Sequence, residues 1–560
     1  MNTVKTASEK HSVWSLYPVP LFALLVVLLL YLFLFPPVTI TLDGYSHLYG
    51  GEALRLMLAG QPEVHNTFSY NSVLVPNWLS TLILVALSSI VSGELALKLL
   101  IVLIGTALVS SVYFCIDASQ YHRHQRAQVL IVLLPFALNA YLTLGFYGFL
   151  ISSSMCIFVL GLVLRYGLRM PLRFQCVTAC LLLVAYFSHP VPVIISFLFP
   201  FACFIADAVI HWRDGWRHST AAVKRHAFDI WPWLPPACIL PWFYVRLSRA
   251  SALPGTELHA DSTTFPLIQR IEALARDAFL YISPTANVGT LFIALLSVLL
   301  AGVFLCRRKL FMQNPLRSTI LTVLIVSTMA LSLMVPDHVG NGSDIVSRFW
   351  LHSTIFLVLL ALASGVFDAQ LLTVCSLLAA LSVIGFAGEY LLVSKRLAPE
   401  VAELRIATES VPRHSRILIM GYRMTPPSCP GLPLVKMTVP ERHWALVGAL
   451  KNELIVLNDY EAATSHFPLK YSTPRYAGVI NEVDSSGDEA DLSGEKKRAA
   501  WVEILKSDPD VDFVLSWGIS RAPNCMNSVY PPFEELLKNR YDRVFFKQDS
   551  SRVELWRKRG

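Results

Sequence analysis

Charge is what this chain lacks. Only 15% of its 560 residues are Asp, Glu, Lys or Arg, against about 25% in ordinary soluble domains. The shortage is local. Residues 1–394 hold 22 Lys/Arg and 17 Asp/Glu, about 10% of positions, whereas residues 395–560 hold 24 and 22, about 28%. A wholly soluble enzyme and a disordered protein are therefore excluded. Ten cysteines in 560 residues are also too few for a disulfide scaffold. The net charge of +7 divides as +5 and +2 between the two parts, too diffuse to indicate a nucleic-acid partner. The chain also has no phosphate loop, no Gly-x-Ser-x-Gly and no Cys-x-x-Cys in its charged tail, and no internal repeat in its apolar part.

What is present in abundance is long apolar runs. A spanning helix needs about 20 mainly apolar residues. Val19–Phe35 is the first such run; it precedes Pro36-Pro37 with no small-residue cleavage motif, so it reads as an uncleaved span. Further runs centre near residues 105, 136, 156, 181, 201, 238, 297, 326, 358 and 381, giving about eleven spans. Residues 78–91 are apolar but short, which suits a juxtamembrane helix better than a span. The expected fold class is thus an α-helical polytopic membrane domain over residues 1–394, followed by a small α/β soluble domain over 395–560.

The distribution of basic residues predicts the orientation. With the N-terminus inside and residues 78–91 not spanning, inside loops carry Arg123, Arg126, Arg165, Arg169, Arg173, the 213–225 group and the 307–317 group. That is about 15 Lys/Arg in about 70 inside residues, against about 6 in about 120 outside. Treating 78–91 as a span destroys the bias. The predicted arrangement is a multi-pass protein of the cytoplasmic (inner) membrane, its C-terminal domain outside, periplasmic in a Gram-negative host. The outer face then holds the first loop (37–94), a loop near 246–287, a short loop (336–349) and the tail. Leu267, Ile271, Leu274 and Ala278 recur at helical spacing in the second of these, as in an amphipathic surface helix.

The first outer loop opens with Asp43-Gly-Tyr-Ser-His47-Leu-Tyr. Asp43 and His47 are four residues apart and share a face if a helix begins there. An acid at the membrane boundary is a functional candidate; it is equally well placed to cap that helix, and one residue can do both. His65 and the stretch Val75-Pro-Asn77-Trp78-Leu79, which opens the short helix, follow.

A first span, an outer loop opening on Asp, a Pro-x-x-Trp-Leu-type short helix, a Gly break and a basic inside loop together resemble the GT-C glycosyltransferases. That superfamily includes protein O-mannosyltransferases and lipid A aminoarabinose transferases. The pattern is also similar to a group of bacterial membrane proteins with an Asp-Gly-x-x-His-Leu-Tyr opening. The resemblance implies an enzyme that takes a sugar from a polyprenyl-phosphate-linked donor at the outer face and passes it to a glycan, lipid or protein acceptor. It implies that Asp43, with His47 beside it, serves as general base or holds a divalent metal. Many members place a second acid in the next outer loop; here that loop, Asn139–Gly148, has none. Either the enzyme needs no metal, or His47, His65 or His189 completes the site.

Other polar groups are expected at the same face. Ser188-His189-Pro190 ends one span, where the imidazole either caps the helix or joins the site. Asp337, Asp344 and Arg348 lie in or beside the short loop before the tenth span. Arg348 offers a fork for a lipid phosphate; alternatively it snorkels to headgroups or pairs with Asp344. In the tail, Arg416–Met420, Glu453–Leu457 and Asp512–Ser516 read as strands, and residues 543–546 and 552–556 as a closing hairpin. The tail is expected to bind acceptor or cover the site. Its two cysteines, Cys429 and Cys525, suit a disulfide if the tail is outside. Two other functions fit the composition: a transporter or flippase of a lipid-linked glycan, and a non-catalytic envelope assembly protein. The clustering of polar groups at one face and the lack of a repeat favour the enzyme.

Overall fold

The computed structural model describes residues 17–72, 74–116, 123–210, 229–250, 286–335, 345–362, 367, 369–422, 446–464, 466–473, 505–506, 510–518, 531–548 and 552–560. Asp337, Asp344, Cys429, Cys525 and the expected 267–279 surface helix lie outside these. The eight cysteines of the membrane part are described, and all are free thiols.

The chain begins with α1 (Pro18–Leu34), then α2 (Gly44–Leu58), α3 (Pro62–Thr67), β1 (Phe68–Tyr70), α4 (Trp78–Ser88) and α5 (Gly93–Cys115). Next come α6 (Arg123–Leu133), α7 (Ala140–Leu144), α8 (Tyr147–Tyr166), α9 (Leu172–Ser188), α10 (Pro190–Ser196) and α11 (Leu198–Ile210). The membrane part closes with α12 (Leu234–Ala250), α13 (Ala286–Gln313), α14 (Pro315–Met334), α15 (Ile345–Leu362) and α16 (Ala369–Glu409). Among the described residues, eight helices are long and apolar enough to cross a membrane. Shorter apolar helices fill the expected positions at Pro18–Leu34 and Leu172–Ser188. At 11 residues, α4 spans about 16 Å, well short of the roughly 30 Å hydrocarbon layer.

Burial sorts the helices. Leu24, Val27, Phe304 and Leu305 leave large apolar surface exposed, as lipid-facing positions require. In contrast, α8 and α15 are enclosed by other helices, and these two carry Ser152, Ser153, Ser154, Arg348, His352 and Ser353 in buried positions. Helix α8 also separates two ends of the bundle. At its last turn Arg165 donates to the Phe114 carbonyl, and Arg317 donates to the Leu164 carbonyl. Arginines from two loops counted as cytoplasmic thus meet at one end, while Tyr147 and Gly148 begin the helix at the other.

Helix α16 does not stop at residue 394. It runs 41 residues, about 60 Å, and carries the membrane bundle directly into the tail. The tail contains β2 (Arg416–Tyr422), α17 (Leu446–Lys451), β3 (Ile455–Val456), α18 (Tyr460–Ala463), β4 (Leu469–Tyr471), β5 (Phe513–Gly518), α19 (Pro531–Arg540), β6 (Tyr541–Gln548) and β7 (Arg552–Lys558). Five strands form a mixed sheet in the order β3-β2-β5-β7-β6. β2 pairs in parallel with β3 and β5, and β7 pairs antiparallel with β5 and β6. The expected hairpin is β6–β7. The run Glu453–Leu457 yields only a two-residue strand, because Glu453 adopts positive φ.

A second, two-stranded sheet was not foreseen. β1 of the first outer loop pairs antiparallel with β4 of the tail, Phe68 opposite Tyr471 and Tyr70 opposite Leu469. Backbone hydrogen bonds extend the seam, from the Asn71 N–H to the Pro468 carbonyl and from the Ser472 N–H to the Thr67 carbonyl. Loop and tail are therefore one folded unit.

Candidate functional site at the junction of loop, spans and tail

After Pro36-Pro37 ends α1, residues 38–41 belong to neither helix nor strand. Buried N–H groups must be paired somewhere, and here side chains do it: Ser394 accepts from Val38, Tyr45 from Thr39 and Tyr390 from Ile40. Further on, the Leu42 and Asp43 N–H groups donate to the carbonyls of Thr143 and Leu144 at 2.8 and 3.2 Å. Asp43 is thereby fixed on the end of α7.

Asp43 occupies the N-cap position of α2, but its side chain makes no capping bond. The Thr41 hydroxyl accepts from the Gly44 N–H at 3.2 Å instead, and also bonds the Tyr147 hydroxyl at 3.1 Å. Thr41 therefore performs the capping that the sequence offered Asp43, whose side chain is half-buried.

The turn beneath Asp43 is Leu144-Gly145. Gly145 adopts φ +86°, a conformation that costs an L-residue roughly 1–2 kcal/mol. A Cβ built there would stand 3.0 Å from the Asp43 Cβ and from the Asp43 nitrogen. The Gly145 carbonyl accepts from His47 Nε2 at 2.8 Å. The other ring nitrogen, Nδ1, is 2.5 Å from Oε1 of Glu461, and both side chains are buried. Burial opposes a charged His47 ring. The Glu461 carboxylate, the Asp43 charge and the Gly145 carbonyl outweigh it and push the pKa up to about 9. His47 is thus an imidazolium at neutral pH, with both nitrogens engaged.

Beside this pair, Asp459 caps α18: Oδ2 accepts from the Ala462 N–H at 3.3 Å, and Oδ1 accepts from the Ser46 hydroxyl at 2.7 Å. Burial, then the charge of Glu461, raises Asp459 to about 7. Ser46 and His47, adjacent on α2, each hold one acid of the tail.

The next residues lead to the basic group. Phe146 follows Gly145 and lies under the Arg348 guanidinium, whose central carbon is 4.7 Å from that ring and 5.3 Å from the Phe149 ring. Such stacking fits a desolvated arginine. Arg348 is 7% exposed, at the start of α15, and its Nη1 is 2.7 Å from His189 Nε2. His189 stands at the corner between α9 and α10. Burial and then the Arg348 charge hold it well below the usual histidine range. His466, between α18 and β4, is pushed down to about 4 by burial, by Arg348 and by His47. Asn77, in left-handed conformation with φ 65°, joins these pieces: its side-chain amide donates to the His466 carbonyl at 3.1 Å, and its N–H donates to the Ser188 carbonyl at 3.3 Å.

Asp43, His47, Asn77, His189 and Arg348 are thus brought to one end of the bundle. Two further expected residues, His65 and Trp78, make local contacts within the first loop. His65 is exposed on α3, where its Nε2 bonds the Met57 carbonyl at 2.9 Å. Trp78 donates to the Ser72 carbonyl at 3.3 Å and holds the loop in shape. Three residues that the sequence did not single out, Asp459, Glu461 and His466, come from the tail. Among the described residues, no three of His, Cys, Asp and Glu gather as metal ligands. His47, with Nε2 on a carbonyl and Nδ1 on a carboxylate, does not fit a ligand role.

No protein-family model matches the chain, and no curated protein matches it. Among solved structures, it is similar to ArnT from Cupriavidus metallidurans in the apo state, with 10% identity and a TM-score of 0.49 over 96% of this chain and 97% of that one. It is also similar to ArnT from Cupriavidus metallidurans bound to undecaprenyl phosphate, with 10% identity and a TM-score of 0.47 over the same shares of the two chains, 96% and 97%.

Proposed function

We propose that this chain is a membrane glycosyltransferase, moving a sugar from a polyprenyl-phosphate-linked donor to a glycan, lipid or protein of the cell envelope. In this reading it works at the outer face of the cytoplasmic membrane, with its tail domain on that side. The observation that carries the reading is that Asp43 and Arg348 pack on two consecutive residues, Asp43 on Gly145 and Arg348 on Phe146. A carboxylate at the head of a helix it does not cap suits a general base, which accepts the acceptor hydroxyl's proton as that oxygen attacks the anomeric carbon. The sugar–phosphate bond breaks with its electron pair going to the phosphate oxygen. A guanidinium packed against two aromatic rings suits the charge that appears there. His189 and His466, both kept neutral, add no competing charge of their own. Among the described residues no ligand set for a metal gathers, and the proton and the developing charge are carried by Asp43 and Arg348.

The test is transfer by purified protein, using polyprenyl-phosphate-linked sugar extracted from membranes of the producing cells. Asp43→Asn is expected to lower turnover by about 10²- to 10⁴-fold, the range for loss of a general base, with donor binding retained. Wild-type turnover in Asp43→Asn rejects the assignment.

A further inference from the structure

We infer that Glu461 of the tail domain is a positioning residue for the transfer site, acting through His47 on the turn that presents Asp43. The inference rests on the reading of Asp43 as the base.

The chain of contacts is continuous. Glu461 Oε1 is 2.5 Å from His47 Nδ1, His47 Nε2 is 2.8 Å from the Gly145 carbonyl, and Gly145 packs against the Asp43 Cβ and nitrogen. A carboxylate behind an imidazole fixes the ring's orientation and the nitrogen that carries its outward proton. Here that outward N–H grips the final carbonyl of the α7 turn. Residues 42–43 and 143–145 are already joined by two backbone hydrogen bonds. The His47 bond adds the third, on the side facing the tail.

The cost of this arrangement argues for a purpose. Glu461 and Asp459 are each 3% exposed and stand two residues apart, so two acids are withdrawn from water together. Buried ion pairs seldom hold an interface better than apolar groups of the same size. The loop and tail already have such groups: Phe68 stacks on Tyr471 with ring centroids 5.2 Å apart, and β1–β4 supplies backbone pairing. A charged pair is therefore not needed to dock the tail. It does give His47 one fixed direction. The groups facing His47 are Asp43 from its own helix, Glu461 from the tail, the Tyr147 ring at 5.4 Å and the Phe467 ring at 5.7 Å, with His466 beyond them. Glu461 is the one that contacts Nδ1.

The experiment uses the full chain and the same lipid-linked donor. In Glu461→Ala, kcat is expected to fall about 10- to 100-fold, as on losing the outer partner of an oriented histidine, with KM for the donor within about twofold. Glu461→Gln keeps a group that can bond Nδ1 of a neutral His47, so its kcat should return to within about threefold of wild type. Glu453→Gln breaks a different loop–tail ion pair, the one to Arg55 at 3.3 Å, while leaving His47 and Glu461 intact, and it should stay near wild-type kcat. Hydrogen exchange at the Phe68–Tyr70 amides reports docking in each variant. Wild-type kcat in Glu461→Ala overturns the inference. So does a Glu461→Gln variant no better than Ala, or an equal loss in Glu453→Gln. Asp43→Asn is assayed in parallel. If it is fully active, the base reading fails whatever Glu461 does; if it is inactive while Glu461→Ala is normal, only the positioning role fails.

Discussion

His189 Nε2 and Arg348 Nη1 lie 2.7 Å apart, while the other nitrogen of the same ring, Nδ1, lies 3.2 Å from the Val191 N–H. Both neighbours are donors, and a neutral imidazole has only one acceptor nitrogen. The guanidinium keeps its protons throughout the physiological range. The two donors therefore compete for one lone pair: Nδ1 accepts from Val191 in capping α10, or Nε2 accepts from the charged guanidinium, and either way the ring ties the starts of α10 and α15 together.

The first prediction follows from that geometry. Arg348→Lys keeps the charge but loses the planar fork and the stacking on Phe146 and Phe149. Donor KM should rise about tenfold, equivalent to about 1.4 kcal/mol, with a smaller change in kcat. His189→Gln retains an acceptor for Nη1 and should perturb KM less than His189→Leu. Steady-state kinetics with varied donor check both; a Lys variant with unchanged KM removes Arg348 from donor recognition.

Gly145→Ala tests the turn under Asp43. The positive φ costs an alanine roughly 1–2 kcal/mol, and its Cβ would press on Asp43 at 3.0 Å. The expected result is a modest fall in thermal stability with a much larger fall in kcat, because the displaced atoms belong to the base itself. Thermal unfolding and turnover on the same preparation separate the two effects. Equal, small losses would mean that Asp43 tolerates movement.

The tail's seat on α2 should weaken as pH rises. Asp459 has its pKa raised from an ordinary 3.8 to about 7 in the folded protein, so it takes up a proton on folding in that interval, and stability falls as pH climbs through it. His47 is raised from 6.5 to about 9, so its contribution is complete below 6.5 and is lost as pH rises through 9. Both shifts have the same sign. The unfolding temperature should drop between pH 5 and 9.5, and exchange at β1 should quicken over the same range. Asp459→Asn removes the lower step and should flatten the curve between pH 5 and 7. A curve that rises with pH across this window contradicts the assignment of these two protons.

These features differ in how far the sequence discloses them. The spans, the short α4 and the β6–β7 hairpin are local, and runs of apolar residues or their alternation announce them directly. Asp43 is also local, since an acid just past a span at the head of a helix is conspicuous. What the sequence does not disclose is who meets whom. Asn458-Asp459-Tyr460-Glu461 reads as an ordinary acidic turn after a strand, and nothing within it says that Ser46 and His47, over 400 positions away, will bury it. Phe68-Ser69-Tyr70 has the alternation of a strand, but too few residues to stand out from the loop. Thr41 displaced Asp43 as the cap through the fold of the segment before it, residues 38–40, whose N–H groups are paired by side chains from α2 and α16.

Gly50→Ala sets two effects against each other. In an isolated helix, alanine is preferred to glycine by about 1 kcal/mol, so α2 alone should gain stability. In the folded chain a Cβ at Gly50 would fall 2.8 Å from Glu461 Oε2, closer than side-chain carbons approach. The atom in the way is the end of a side chain, which ordinarily swings aside. Here it is a buried carboxylate held on His47, and moving it separates a desolvated charge pair, typically a cost of 3–5 kcal/mol. The clash should therefore win. Gly50→Ala is expected to resemble Glu461→Ala in turnover although the acid is still present, and to quicken exchange in α18 rather than in α2. If the variant is instead more stable and fully active, the carboxylate has room to move, and the contact between Glu461 and His47 is not what holds the turn beneath Asp43.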